Sequence, residues 1–342
     1  MSQKQSKNLL TDIAGITVGN ASCEQTRTGV TVIRCETPMV CAVDVAGGGP
    51  GTRETDALAP ENLVETVDAI VLTGGSVYGL AAADGVISVL GAAGAGFGLV
   101  NLPGVPKSPI VPSAVLYDLA NGGDKNWGET PPYWDLGRQA LSNVSDQFAL
   151  GNIGAGTGAL AGAIKGGLGS ASVRTQDGFQ VAALVAVNCF GSVLMPGTSR
   201  LWAEPFGQDD EFRRSDEAQE PITFDLEDWG AAKVNPAARQ NTTLAVVATD
   251  LPLTPAQAKR MAKMASAGMA RAIRPIAAPF DGDVTFALAS GTHAAQAVDA
   301  FTLARVGALA ADCLSRAIGR GVMAATTMEP HLCLSDWRKN QT

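Results

Sequence analysis

Histidine is scarce in this chain: only His293 and His331 occur, and neither sits in HxxxH or HExxH spacing. Six cysteines, Cys23, Cys35, Cys41, Cys189, Cys313 and Cys333, lie apart with no CxxC pair. Buried free thiols are therefore expected rather than zinc or disulfides. No D-x-D-x-D-G calcium loop occurs either. The chemistry expected of this chain uses no metal and no cofactor. Three other patterns can do chemistry. Gly74-Gly75-Ser76-Val77-Tyr78-Gly79 follows a strand pattern and precedes a helical one, but misses the G-x-S-x-G of a serine triad enzyme by one residue. Gly154-Ala155-Gly156-Thr157-Gly158-Ala159 fits the dinucleotide fingerprint G-x-G-x-x-G/A. A nucleotide-dependent oxidoreductase would need a helix next, yet Gly162, Gly166, Gly167 and Gly169 follow. A glycine loop of close backbone approach is the better reading. In the third pattern Asn241-Thr242-Thr243 runs straight into the apolar stretch Leu244–Thr249. A threonine there can attack the carbonyl of Asn241. An N-to-O acyl shift and hydrolysis would leave Thr242 as a new N-terminus whose α-amine, of pKa near ~8, is its own general base. Without that chemistry the same residues are simply the start of a strand.

These residues need a frame to hold them, and the composition supplies one. The chain has 342 residues, 46% hydrophobic and 17% charged, enough for a substantial core. Its net charge of -8 disfavours nucleic acid and anionic lipid as partners. The two longest uncharged stretches, Gly85 to Pro106 and Gly178 to Ser199, are broken by glycine, proline and amides, so buried strands and turns are expected there rather than membrane spans. The polar start, Met1 to Asn8, precedes no apolar h-region, and a cytoplasmic location is expected. Val30–Cys35 and Val40–Val45 predict a hairpin around Glu36 to Met39. Ala69–Thr73 and Ile110–Leu116 predict further strands, Val77–Leu90 and Leu136–Leu150 helices. Ser170–Arg174 and Phe179–Val187 flank Asp177-Gly178, which predicts a second hairpin and rules against an all-parallel barrel.

Between Glu204 and Asp228 lie ten of the 33 acidic residues, with Pro205 and Pro221 among them, and an exposed loop or linker is expected over about 204–241. Beyond it the pattern is strand Leu244–Thr249, helix Pro255–Ile273 with Thr254 as N-cap, strand Val284–Ala289 and helix Ala295–Ile318.

From Leu10-Thr11-Asp12-Ile13 and Arg27-Thr28-Gly29-Val30-Thr31 through the last helix, the chain resembles the DmpA/NylC family of self-cleaving N-terminal-nucleophile hydrolases, which includes DmpA-type aminopeptidases and nylon-oligomer hydrolases. The most specific element is Asn241-Thr242-Thr243 before one strand with Asp281-Gly282-Asp283 before the next. Threonine at the nucleophile position matches the NylC pattern, since DmpA itself resembles a serine enzyme. The resemblance implies an α+β, four-layer αββα sandwich with mixed sheets. It implies cleavage between Asn241 and Thr242, giving a larger fragment 1–241 and a smaller fragment 242–342 that stay together as one folded domain, and a homo-oligomer of such pairs. It implies Thr242 as nucleophile, Asp281 and Asp283 orienting its hydroxyl and amine, and Lys165 as an active-site lysine. Asn188 would stand on the oxyanion side and Tyr117 in the site. The substrate would be a small peptide or other linear amide. Physical reasoning is compatible: two carboxylates one residue apart can share one ammonium, and an asparagine inside the apolar run before Cys189 must find partners and can donate to an oxyanion. The reading from another class is a binding or structural protein of the same fold that never cleaves.

Overall fold

The computed structural model describes residues 6–100, 102–212, 225, 227–233, 241–293 and 297–340. In chain order the elements are β1 (Ile16–Cys23), β2 (Thr28–Val45), β3 (Thr52–Arg53), β4 (Thr66–Thr73), α1 (Ala81–Ala92), β5 (Ser113–Val115) and α2 (Tyr133–Ser142). There follow β6 (Leu160–Ala161), β7 (Ile164–Lys165), β8 (Leu168–Arg174), β9 (Gln180–Asn188), β10 (Thr242–Thr249), α3 (Pro255–Ala265), α4 (Ala267–Ala272), β11 (Val284–Ala289), α5 (Ala300–Met323) and α6 (Leu334–Lys339).

The residues expected to form a hairpin around Glu36 form instead one 18-residue strand, β2. Glu36, Thr37 and Pro38 look like a turn in sequence. They are an exposed irregularity where the register against β4 shifts between Arg34 and Met39. Proline, lacking an N–H, is tolerated at such a bulge. The actual hairpin is β1–β2, in antiparallel register from Ile16–Cys35 to Cys23–Thr28. The first half of β2 pairs with β1 and β4, and its second half pairs with β11 from Val45–Val284 to Val40–Ala289. One bent strand thus belongs to two sheets. The first sheet is completed by β5 and β3, the second by β10, β9 and β8. β8–β9 is the second expected hairpin, antiparallel from Leu168–Ala186 to Arg174–Gln180.

Side-chain alternation shows how the sheets stack. Ile33, Cys41 and Val43 of β2, Leu72 of β4 and Leu244, Val246 and Phe286 of β10 and β11 share one buried cluster between the sheets. Val30, Val32 and Val71 face outward onto α1 and α2. Ala245, Val247, Val185 and Ala287 face the other way onto α3, α4 and α5. Both faces of each sheet are covered, which is why the strands read as unbroken apolar runs. The layers are α, β, β, α, the four-layer sandwich expected, and the sheets mix parallel and antiparallel pairs.

Helix boundaries differ from expectation where backbone or side chains find other partners. Val77 lies in a 3-10 turn, Ser76–Leu80, ahead of α1. α2 stops at Ser142 because Ser145 exchanges two hydrogen bonds with Val18 of β1, both 3.0 Å. Within the Ile110–Leu116 run the regular strand is β5 alone, while Ile110, Pro112 and Leu116 on either side of it still exchange backbone hydrogen bonds with β4. The expected helix Pro255–Ile273 is two, α3 and α4, separated at Ser266, whose hydroxyl bonds back to the Ala262 carbonyl at 3.1 Å. Thr254 caps α3 as expected, accepting from the Gln257 N–H. The last long helix begins five residues later than expected, at Ala300 after the Asp299 cap, and runs to Met323; residues 295–296 of the expected span lie outside the described residues. Parts of the acidic stretch are described, and they are not wholly solvated: Phe212 is buried and Glu211 pairs with Arg316 of α5 at 2.7 Å. No helix among the described residues is long and apolar enough to cross a membrane.

Candidate active site

Thr242 opens β10, a central strand with β9 on one side and β11 on the other. Antiparallel register sets Thr242 opposite Asn188, the last residue of β9. A parallel bridge three residues before the first β10–β11 pair, Leu244–Val284, sets Asn241 beside Asp281. Strand pairing alone therefore gathers Asn241, Thr242, Asn188 and Asp281, with Asp283 two residues further on. All five are buried, Thr242 retaining 5% exposure.

The carbonyl of Asn241 is doubly held. The Gly282 N–H donates to it at 3.0 Å, and the Thr242 hydroxyl is hydrogen-bonded to it from the other residue of the same peptide. Gly282 has to be glycine, because a Cβ there would lie 2.5 Å from Thr242 Oγ1. Asp283 reaches one residue past the threonine: its Oδ1 accepts from the Thr243 N–H at 2.6 Å and its Oδ2 from the Ala277 N–H at 2.9 Å. Asp281 Oδ2 accepts from the Ala278 N–H at 3.0 Å, whereas its buried Oδ1 has no hydrogen-bond partner among the described residues. A buried orphan oxygen is costly and marks a place where a proton or a donor belongs. Burial and the neighbouring charge of Asp283 push Asp281 up to about 7. Burial raises Asp283 as well, against the pull of its two backbone donors.

The glycine run after β2 packs against this turn. Gly49 N–H donates to the Asp281 carbonyl at 2.7 Å and Gly47 N–H to the Asp283 carbonyl at 3.1 Å. A Cβ on Gly47 would come within 2.3 Å of the Asp281 oxygen, so the backbones approach as only glycine permits. The run Gly47-Gly48-Gly49 was the sequence signal for this support, and no functional reading attached to it.

Asn188 is fixed at both ends of its amide. Oδ1 accepts from the Leu160 N–H at 2.9 Å, and Nδ2 donates to the Tyr117 carbonyl at 3.2 Å. Tyr117 thus meets the site through its backbone, on the segment following β5. Lys165 is fully buried, and Nζ donates to the carbonyls of Gly156, Ala159 and Gly166 at 3.0, 2.9 and 2.7 Å. Burial draws it down to about 7, opposed by the charge of Asp118. Three carbonyl acceptors require three N–H bonds, which only the ammonium form offers. Its described contacts are with these carbonyls, not with Thr242. Two further charges escaped sequence reasoning. Asp118 is buried, accepting from Thr28 Oγ1 at 2.6 Å and the Gly75 N–H at 2.7 Å, and burial pushes it up to about 6. Lys233 lies 3.4 Å from the Asn188 carbonyl, drawn down to about 8 by burial while Asp281 opposes the shift. An apolar flank adjoins them, with Phe190 edge-on to Phe280 at 4.8 Å and to half-exposed Trp229 at 5.9 Å between ring centroids.

The rival patterns lack this convergence. His293 sits near Asp250, just beyond the opposite end of β10 from Thr242. Gly154–Gly156 is a 3-10 turn leading into the short β6–β7 pair rather than into a helix.

Comparison with known proteins agrees with the fold. An uncharacterised aminopeptidase of Mycobacterium tuberculosis is 41% identical over 340 residues, covering 93% of this chain and 94% of that one. A 6-aminohexanoate-oligomer endohydrolase of Kocuria sp. is 31% identical over 290 residues, 81% of this chain and 73% of its own. The structure of an L-aminopeptidase D-Ala-esterase/amidase from Ochrobactrum anthropi, described as a variant of the Ntn hydrolase fold, superposes with a TM-score of 0.69 at 22% identity, covering 95% of this chain and 88% of that one. Residues 8–332 match Peptidase family S58 as a whole, so this four-layer chain with Thr242 at the head of its central strand belongs to that family of hydrolases.

Proposed function

We propose that this chain is an amide hydrolase that matures by cleaving its own Asn241–Thr242 bond and then uses Thr242 as an N-terminal nucleophile. The observation that carries the reading is the Asn241 carbonyl, held between the Gly282 N–H and the Thr242 hydroxyl beside a carboxyl with one unpartnered oxygen. In maturation, Thr242 Oγ adds to the Asn241 carbonyl carbon while its proton passes to ionised Asp281. The Gly282 N–H stabilises the oxyanion. The C–N bond then breaks, the leaving nitrogen takes the proton, and an ester links Asn241 to Oγ. Water hydrolyses that ester, giving a carboxylate on Asn241 and a free α-amine on Thr242. In turnover the amine takes the hydroxyl proton as Oγ attacks the substrate amide, and returns it to the departing amine. Asn188 Nδ2 serves the oxyanion. Water then releases the acyl group from Oγ.

Short linear amides and peptides with a free amino end fit best, because Asp281 offers a buried carboxylate oxygen to an ammonium and the aromatic flank suits an apolar chain. The names of the relatives, aminopeptidase and 6-aminohexanoate-oligomer endohydrolase, support that class. Intact mass tests the maturation step. The wild-type chain is expected as fragments of 241 and 101 residues, Thr242→Ala as one inactive chain of 35.0 kDa, and Thr242→Ser as a cleaved, slower enzyme. A wild-type protein that hydrolyses amides as a single uncut chain would sink the reading. Amino-acyl anilides and 6-aminohexanoate oligomers are expected to be cut in preference to their N-acetylated forms, and the reverse preference would remove the role given to Asp281.

A further inference from the structure

Lys165 and Asp118 both lie one peptide away from Asn188, on opposite ends of its amide. The peptide joining Ala159 to Leu160 accepts from Lys165 Nζ at its carbonyl and donates from its N–H to Asn188 Oδ1. The peptide joining Tyr117 to Asp118 accepts from Asn188 Nδ2 at its carbonyl, and the buried carboxylate of Asp118 is carried on that same peptide's next residue. A hydrogen-bonded chain therefore runs from a buried ammonium through the Asn188 amide to a carbonyl whose peptide leads directly into a buried carboxylate. Every donor in it points the same way. A cation on the Ala159 carbonyl makes the Leu160 N–H a stronger donor, which draws electron density toward Asn188 Oδ1 and leaves its NH2 more positive. At the other end the carboxylate of Asp118, held by Thr28 Oγ1 and the Gly75 N–H, fixes the peptide whose Tyr117 carbonyl accepts from that same NH2 and sets negative charge beside it. Hydrogen bonds aligned in series polarise one another, and a low-dielectric interior enhances the effect.

We propose that Lys165 and Asp118 are positioning residues that act through this chain, orienting and polarising the Asn188 amide as oxyanion donor, and that neither touches the reacting atoms. The inference rests on the reading of Asn188 given above. Asp118 also ties Thr28 at the start of β2 to Gly75 after β4, so it anchors the segment carrying the Tyr117 carbonyl to two elements of the first sheet. The chain thus spans both sheets, with Asn188 and Lys165 on the β7–β9 side and Asp118 on the other.

A double-mutant cycle tests it. Asn188→Ala is expected to lower turnover about 10²-fold, as loss of one oxyanion donor does. Lys165→Met is expected to cost about 10-fold in kcat, with KM little changed, from the loss of one charged hydrogen-bond link. In the Asn188→Ala background the Lys165→Met change is expected to add no more than about 2-fold, because residues acting through one group do not act additively. The same holds for Asp118→Asn. Effects that multiply in full would overturn the proposal, since Lys165 or Asp118 would then act without Asn188. Should either variant be inactive or poorly soluble, the side-chain NH2 resonances of Asn188 in selectively 15N-labelled protein decide. They are expected to move upfield in whichever single variant folds, and unchanged resonances overturn the proposal. Wild-type intact mass and turnover are recorded alongside. A wild type that never cleaves itself defeats the proposed function, while the Asn188 resonances still report on the chain.

Discussion

At the scale of single residues the proposed maturation turns on the titration of Asp281. In that reading it must be ionised to accept the Thr242 proton, and burial beside Asp283 pushes it up to about 7. Self-cleavage is therefore expected to accelerate as pH rises through 7, and Asp281→Asn to abolish that dependence along with most of the rate, followed by intact mass against time. The same shift has an opposite sign for stability. A carboxyl whose folded pKa lies above its unfolded value near ~3.9 keeps its proton better when folded. Its contribution is whole below the unfolded pKa and is lost as pH climbs to 7. Melting temperature of the uncut Thr242→Ala protein is expected to fall across that window, less so when Asp281→Asn is added. Asn241 and Thr242 were legible from their place before an apolar run, whereas Asp281, Asp283 and Asn188 were named through the family resemblance; strand pairing is what sets these residues together. The Gly282 N–H was not legible, because a backbone donor has no residue signature. Neither was Asp118, which converges on Asn188 only through the stacking of two sheets.

At the scale of elements, the site is a consequence of β10 and β11 running parallel, with Leu244 level with Val284 so that β10 starts two residues ahead of β11. The Asp281–Gly282–Asp283 turn enters β11 where β10 begins, so its backbone meets the Asn241 carbonyl. Gly282→Ala puts a methyl against Thr242 Oγ1 and is expected to slow self-cleavage by at least ~10-fold, at a stability cost of about 1–3 kcal/mol as for other over-packed sites. A time course of fragment appearance, with thermal melts of the uncut form, checks both. The strand pattern itself read well for β4, β8 to β11 and their apolar alternation. It failed at β2, where Glu36, Thr37 and Pro38 carry turn chemistry but the flanking strands β1 and β4 hold the backbone straight on. It failed again at Ser266, where bonds to Asp44 and Thr285 of neighbouring strands, each 3.2 Å, come with a break between two helices. Both are cases of tertiary partners overriding local preference.

At the scale of the whole molecule, a cut before β10 would divide the chain without dividing the fold. β10 is hydrogen-bonded along its length to β9 of the larger fragment and to β11 of the smaller. Arg316 of α5 meets Glu211 with two bonds of 2.7 and 2.8 Å and also bonds the Ser172 carbonyl at 2.8 Å, clasping the larger fragment from the smaller. The fragments are expected to co-elute in size exclusion without denaturant. Arg316→Met leaves Glu211 with Arg320 at 3.7 Å, Asn8 Nδ2 at 2.6 Å and the Gln208 N–H at 3.1 Å, and is expected to lower stability by about 1.5–3 kcal/mol for the lost charged hydrogen bonds, read from denaturant melts.

The central place of β10 would also make the proposed maturation a loss of information. Before the cut, one chain carries everything needed to find the fold, and its refolding is unimolecular. After it, the middle strand of a sheet must be returned by a separate molecule, so recovery depends on encounter and therefore on concentration. Diluted from denaturant to nanomolar levels, uncut Thr242→Ala would regain its fold and the processed protein would not. The active form would then be one the cell can make but not remake, held together by the slowness of its unfolding rather than by any ability to repair it.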